Sequence, residues 1–139
     1  MTETAKVTAR REAEVIARAI EARRNAYAPY SGYQVGAALL TASGQIFTGV
    51  NVENAAYPDS LCAERVAVAK AVSEGVCEFV LVAVATSNGG TPCGSCRQVM
   101  AEFGLDAVVL MVDGAGTVVQ RTTVRDLLPH SFGPKQLKN

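Results

Sequence analysis

Phe79-Val-Leu-Val-Ala-Val-Ala85 is an unbroken run of apolar residues. A strand with one face in water alternates apolar with polar, whereas a strand covered on both faces does not need to. This run therefore predicts a central strand with helices above and below it, and an α/β fold. Downstream, Gly94 to Phe103 reads as a short helix closed by Gly104, and Ala107 to Val112 as a second buried strand. Asp113-Gly-Ala-Gly116 turns the chain into an edge strand at Thr117 to Gln120, and a last helix from Thr123 to Leu128 stops at Pro129. Upstream, Val35 to Leu40 and Gln45 to about Val52 form a hairpin around Ser43-Gly44. A helix follows from about Cys62 to Val72, with Gly75 as its stop. Val7, Ala9, Ala13, Ile16, Ala17 and Ile20 recur at helical spacing, predicting an amphipathic first helix that ends before Pro29. A helix, a hairpin and then alternating strands and helices give a mixed five-stranded sheet covered on both faces. The length suits one domain over 1–139.

The chain has 139 residues, 49% of them hydrophobic and 19% charged, which marks a globular protein rather than a disordered one. Thirteen basic residues balance thirteen acidic ones, so the usual electrostatic reason to expect nucleic-acid binding is missing. Arg10, Arg11, Arg18, Arg23 and Arg24 are interleaved with Glu3, Glu12, Glu14 and Glu21, the pattern of a solvated helix face. No apolar stretch suits a signal peptide or a membrane span. The expected location is the cytoplasm, where thiols stay reduced, so four cysteines point to metal or redox chemistry rather than to disulfides.

Cys93-Gly-Ser-Cys96 opens a predicted helix, and Cys62-Ala-Glu64 opens another. Helix N-termini stabilise thiolate, and thiolate is the form that binds zinc. Strand-to-helix junctions side by side in a mixed sheet can bring three thiolates to one point. No fourth ligand is evident. Cys77 reads as a small buried hydrophobe and His130 as a solvated tail residue. A structural zinc site is closed by four protein ligands, whereas three leave a position for water, which favours catalysis. Glu64 stands where its carboxylate can serve that water as a proton carrier. Arg65 and Arg97 adjoin the ligands in sequence and can donate to the sulfurs, offsetting the surplus charge of three thiolates.

Cys62-Ala-Glu-Arg65 with Pro92-Cys-Gly-Ser-Cys-Arg-Gln98 resembles the zinc-deaminase signature in its all-cysteine form. Asn51-Val-Glu-Asn-Ala-Ala-Tyr-Pro58 upstream makes the chain similar to the small cytidine deaminases. The resemblance runs from about Tyr30 to Phe132. It implies a three-layer α/β/α sandwich, one Zn2+ per subunit, and a homotetramer with active sites shared between subunits. It implies hydrolysis of cytidine and 2′-deoxycytidine to uridine and 2′-deoxyuridine plus ammonia, a pyrimidine-salvage reaction. By motif position Cys62, Cys93 and Cys96 carry over as ligands of a zinc whose hydroxide attacks C4, with Glu64 as proton shuttle. The backbone around Ala63 would hold the base, and Asn51 and Glu53 the ribose hydroxyl. Ala55 and Tyr57 match positions reaching a neighbouring subunit's sugar site, and Phe132 an aromatic that closes over the base of another subunit. Tyr33 stands where many relatives carry Phe; its ring can stack on a pyrimidine, but its hydroxyl needs a partner.

Four rival readings remain. A blasticidin S deaminase would share the zinc motifs but not the intact Asn51-Val-Glu-Asn54 segment. A polynucleotide-editing deaminase would need a groove for strand contacts. A zinc-stapled binding module requires a fourth protein ligand and no Glu64. A thiol oxidoreductase built on Cys93 and Cys96 leaves Cys62, Glu64 and the Asn51 segment unexplained.

Overall fold

The computed structural model describes residues 7–137, so Glu3 lies outside the described residues. The five strands are β1 (Gly36–Thr41), β2 (Ile46–Val50), β3 (Phe79–Ala85), β4 (Val108–Val112) and β5 (Val118–Thr123), in the spatial order β2-β1-β3-β4-β5. β3 and β4 are parallel, and every other pairing is antiparallel. The mixed sheet predicted from the apolar runs is therefore present. β5 runs three residues beyond the expected Gln120, because Thr122 and Thr123 still pair with Val109 and Val108. As an edge strand it needs little apolar character to continue.

Both faces of the sheet are covered. On one side α1 (Ala9–Arg23) packs Val15 and Ala19 against Ala38, Leu40, Leu81, Ala83, Leu110 and Val112. On the other, α2 (Ala63–Ser73) and α3 (Gly94–Gly104) pack Ala67, Val68, Ala71 and Met100 against Ala37, Leu39, Val82, Val84, Val109 and Met111. Successive residues of β1, β3 and β4 thus enter opposite cores, which is why their sequences lack polar alternation. A short helix α4 (Val124–Leu127) and two 3-10 turns (Tyr57–Asp59, Pro134–Leu137) complete the described chain. No helix among the described residues is long and apolar enough to cross a membrane.

Two glycines bring the helices close to the sheet. A Cβ on Gly36 would lie 2.3 Å from the Ala19 carbonyl oxygen of α1. A Cβ on Gly49 would lie 2.3 Å from the Ala63 carbonyl oxygen and 2.5 Å from the Ala67 nitrogen of α2. The second contact fixes the height of the α2 N-terminus over β2, where the site is built. Thr8 caps α1 by accepting from the Arg11 amide at 3.1 Å.

One sequence expectation is corrected here. Cys77 is exposed rather than buried. It lies in the connection between α2 and β3, where its neighbour Val76 packs on the core and turns Cys77 outward.

Candidate active site and metal centre

Cys62 is the N-cap residue of α2 and Cys93 the N-cap residue of α3, with Cys96 in the first turn of the same helix. The sheet sets these two helices side by side, so three sulfurs distant in sequence meet. Cys93 Sγ lies 3.3 Å from Cys96 Sγ and 3.9 Å from Cys62 Sγ, and all three fall within 4.8 Å of one another. Tetrahedral Zn–S bonds of about 2.3 Å would space the sulfurs roughly 3.8 Å apart. The cluster fits such an ion in donor type and in spacing, and no fourth His, Cys, Asp or Glu joins it among the described residues.

The electrostatics point the same way. A hydrogen bond from Cys96, with a smaller contribution from Cys93 and from the charge of Arg65, holds the Cys62 thiol down at about 6. Cys96, donating to that thiolate in a buried position, is pushed upward. Three sulfurs this close cannot all ionise without a cation between them, and a divalent metal removes that conflict.

Glu64 follows in the first turn of α2 and is 5% exposed. Burial raises its carboxyl to about 7, and the negative charge of Cys62 pushes the same way. Its own backbone amide and the Cys96 thiol oppose the rise. A carboxyl group poised near neutrality can take and return a proton.

These groups line a cavity of about 310 Å³ with Tyr33, Val35, Asn51, Glu53, Leu61, Ala63, Val84 and Thr86 among its walls. The Asn51 amide ties two strand ends: Oδ1 accepts from the Val35 amide at 2.9 Å and Nδ2 donates to the Tyr33 carbonyl at 2.8 Å. The Nδ2 amide carries a second N–H besides the one used here. Glu53 accepts from the Tyr30 amide at 2.9 Å, from the Ser31 amide at 3.1 Å and from the Ser31 hydroxyl. The Ser31 hydroxyl bond is the largest reason its carboxyl sits below the ordinary range.

The remaining expected site residues divide. Ala63 is buried and lines the cavity, and its amide lies in a first turn that no side chain caps. Ala55, Tyr57 and Phe132 are exposed and lie outside this cavity. Arg97 is corrected: its guanidinium donates to the carbonyls of Pro92 (2.8 Å) and Leu127 (2.9 Å) and to Thr91 Oγ1 (3.0 Å) instead of to sulfur. These three acceptors, at the end of the loop and in α4, occupy the guanidinium in this structure. Arg65 makes no hydrogen bond to a sulfur among the described residues and acts on Cys62 through its charge. Sequence reasoning missed Thr86, Asn88 and Gly90, whose loop carries no motif of its own.

A family profile described as the cytidine and deoxycytidylate deaminase zinc-binding region matches residues 9–112. The chain is 44% identical over 126 residues to a cytidine deaminase of Sporosarcina psychrophila, covering 89% of this chain and 93% of that protein. It is 45% identical over 128 residues to the cytidine deaminase of Halalkalibacterium halodurans, covering 90% and 96%. The crystal structure of cytidine deaminase from Burkholderia pseudomallei superposes with a TM-score of 0.82 at 44% identity, covering 86% of this chain and 97% of that one. The chain thus belongs to the cytidine and deoxycytidylate deaminase family, as an enzyme of its cytidine deaminase type.

Proposed function

We propose that the protein hydrolyses cytidine and 2′-deoxycytidine to uridine and 2′-deoxyuridine, releasing ammonia. The observation that carries this reading is the placement of buried Glu64 beside three converging cysteine sulfurs in a nucleoside-sized cavity. Cys62, Cys93 and Cys96 would hold a single zinc ion per chain, and zinc, when bound, supplies the Lewis acidity that makes water a nucleophile at neutral pH.

The chain's own residues do the rest. Glu64 takes a proton from water as the water oxygen bonds to C4 and delivers that proton to N3 of the pyrimidine. It then moves the proton of the new C4 hydroxyl to the amino group, which leaves as ammonia as C4 becomes a carbonyl. The amide of Ala63, in a first turn without a side-chain cap and on the cavity wall, suits a base carbonyl. Asn51, through the second N–H of its amide, and Glu53, through its carboxylate lone pairs, together offer a donor and an acceptor to a ribose hydroxyl. Val35, Leu61 and Val84 keep the ring's surroundings apolar.

A homotetramer with shared sites gives Ala55, Tyr57 and Phe132 their role. Tyr57 and Phe132 are 72% and 57% exposed, and a neighbouring subunit would cover them. Reduced thiols at the centre suit the cytoplasm. Arg65 remains placed to temper the charge on Cys62.

The test is a substrate panel of cytidine, 2′-deoxycytidine, cytosine and blasticidin S, read by ammonia release. Turnover of the two nucleosides is expected. Turnover of blasticidin S alone, or none from either nucleoside, would overturn the reading.

A further inference from the structure

The loop Ser87-Asn-Gly-Gly-Thr-Pro92 joins β3 to α3 and so delivers Cys93 and Cys96. Its outer side is held by backbone: Gly114 N–H donates to the Ser87 carbonyl at 3.2 Å, and Asn88 pairs with Asp113. Inside the loop the Gly90 amide donates to Thr86 Oγ1 at 2.9 Å. On the cavity side the Tyr33 side chain reaches across. The Tyr33 hydroxyl donates to Asn88 Oδ1 at 2.7 Å, and Thr86 Oγ1 donates to the same oxygen at 3.3 Å.

Tyr33 is tied at its other end as well. Its amide donates to Ser31 Oγ at 3.0 Å, its carbonyl accepts from Asn51 Nδ2 at 2.8 Å, and Ser31 is itself bound by Glu53. One residue thus spans the cavity from the Asn51–Glu53 side to the loop that leads to the cysteines. Asn88 does not line the cavity, so it acts only through Tyr33 and the loop.

Gly90 completes the arrangement. A Cβ there would lie 2.4 Å from the Tyr33 hydroxyl oxygen, while the next atoms stand at 3.5 and 3.6 Å, ordinary contact distances. The hydroxyl alone excludes a side chain at position 90.

We propose that Tyr33, Asn88 and Gly90 form a lock in which Tyr33 is a positioning residue. The bond to Asn88 fixes the ring and the 87–92 loop at one separation, and that separation sets how tightly a planar base is held. The hydroxyl is committed to the lock and is not offered to substrate as a proton donor. The effect on substrate rests on the deaminase reading above, whereas the geometry of the lock does not.

The experiment is a double-mutant cycle on the metal-loaded enzyme. Gly90→Ala should lower Tm by about 3 °C or more in the parent chain. Combined with Tyr33→Phe, which removes only the obstructing oxygen, Gly90→Ala should have little effect on Tm. Equal losses in the two backgrounds would overturn the lock. In kinetics, Tyr33→Phe and Asn88→Ala should each raise KM for cytidine about 3–10-fold with kcat held within about twofold, as for one lost hydrogen bond. Asn88→Asp keeps the acceptor oxygen and should retain the parent KM. A fall confined to kcat, or Asn88→Asp as impaired as Asn88→Ala, would contradict the positioning role. If the parent enzyme fails to turn over cytidine, the deaminase reading fails, and the thermal cycle still decides the lock.

Discussion

The sulfurs of Cys62 and Cys93 lie 3.9 Å apart although 31 residues separate them in the chain. Each occupies the N-cap position of a helix on the same face of the sheet, α2 and α3, so the relationship is a property of the fold rather than of either motif. It gives the site two helix N-termini converging on one point, which favours thiolate there.

Glu64→Gln keeps the size of a 5%-exposed side chain and removes its proton chemistry. Turnover of cytidine should fall by about 10²–10⁴-fold, the usual worth of a positioned acid–base group. Zinc content and Tm should hold. Normal turnover by this variant would remove Glu64 from the mechanism.

Gly49→Ala places a methyl 2.3 Å from the Ala63 carbonyl oxygen and 2.5 Å from the Ala67 amide, backbone atoms that a rotamer change cannot relieve. α2 must shift, carrying Cys62 and Glu64 with it. Thermal unfolding should show a loss of about 1–3 kcal/mol, the range for overpacking, and activity should fall further than stability requires. An unchanged Tm would show that the contact is looser than described.

Asn51→Ala removes the acceptor of the Val35 amide and the donor to the Tyr33 carbonyl. One part-buried hydrogen bond left unmade costs about 1–3 kcal/mol, so Tm should drop measurably. Kinetics should add a rise in KM for cytidine. A variant with parental Tm and KM would place the amide outside both roles.

Glu53 supplies the pH dependence. Its carboxyl sits below the ordinary 4.5, chiefly through the Ser31 hydroxyl bond. A depressed value means the charged form is favoured on folding, so the contribution is complete above 4.5 and is lost as pH falls through the folded value. The amide resonances of Tyr30 and Ser31, which donate to Glu53, should therefore titrate with a midpoint below 4.5. A midpoint at or above 4.5 would contradict the assignment.

Much of this was legible in the chain because burial on both faces leaves a plain mark. Phe79 to Ala85 and Val108 to Val112 are apolar throughout, and they form the parallel pair at the centre of the sheet. The cysteine cluster was legible because metal-binding chemistry restricts residue type and spacing. β5 was harder: Arg121, Thr122 and Thr123 pair with β4 through backbone, which their side chains do not advertise. Cys77 and Arg97 misled for a common reason. Residue type alone did not reveal that Val76 takes the interior position, or that carbonyls at Pro92 and Leu127 lie within reach of the guanidinium. The Tyr33–Asn88 bond joins residues 55 apart and follows no motif, so only the fold reveals it.

The most direct test of the central claim pairs metal analysis with ammonia release from cytidine, before and after chelation. A single zinc per chain, activity lost with the metal, and recovery on adding zinc back are predicted. Zinc-free protein that deaminates cytidine at the full rate would contradict the site built on Cys62, Cys93 and Cys96.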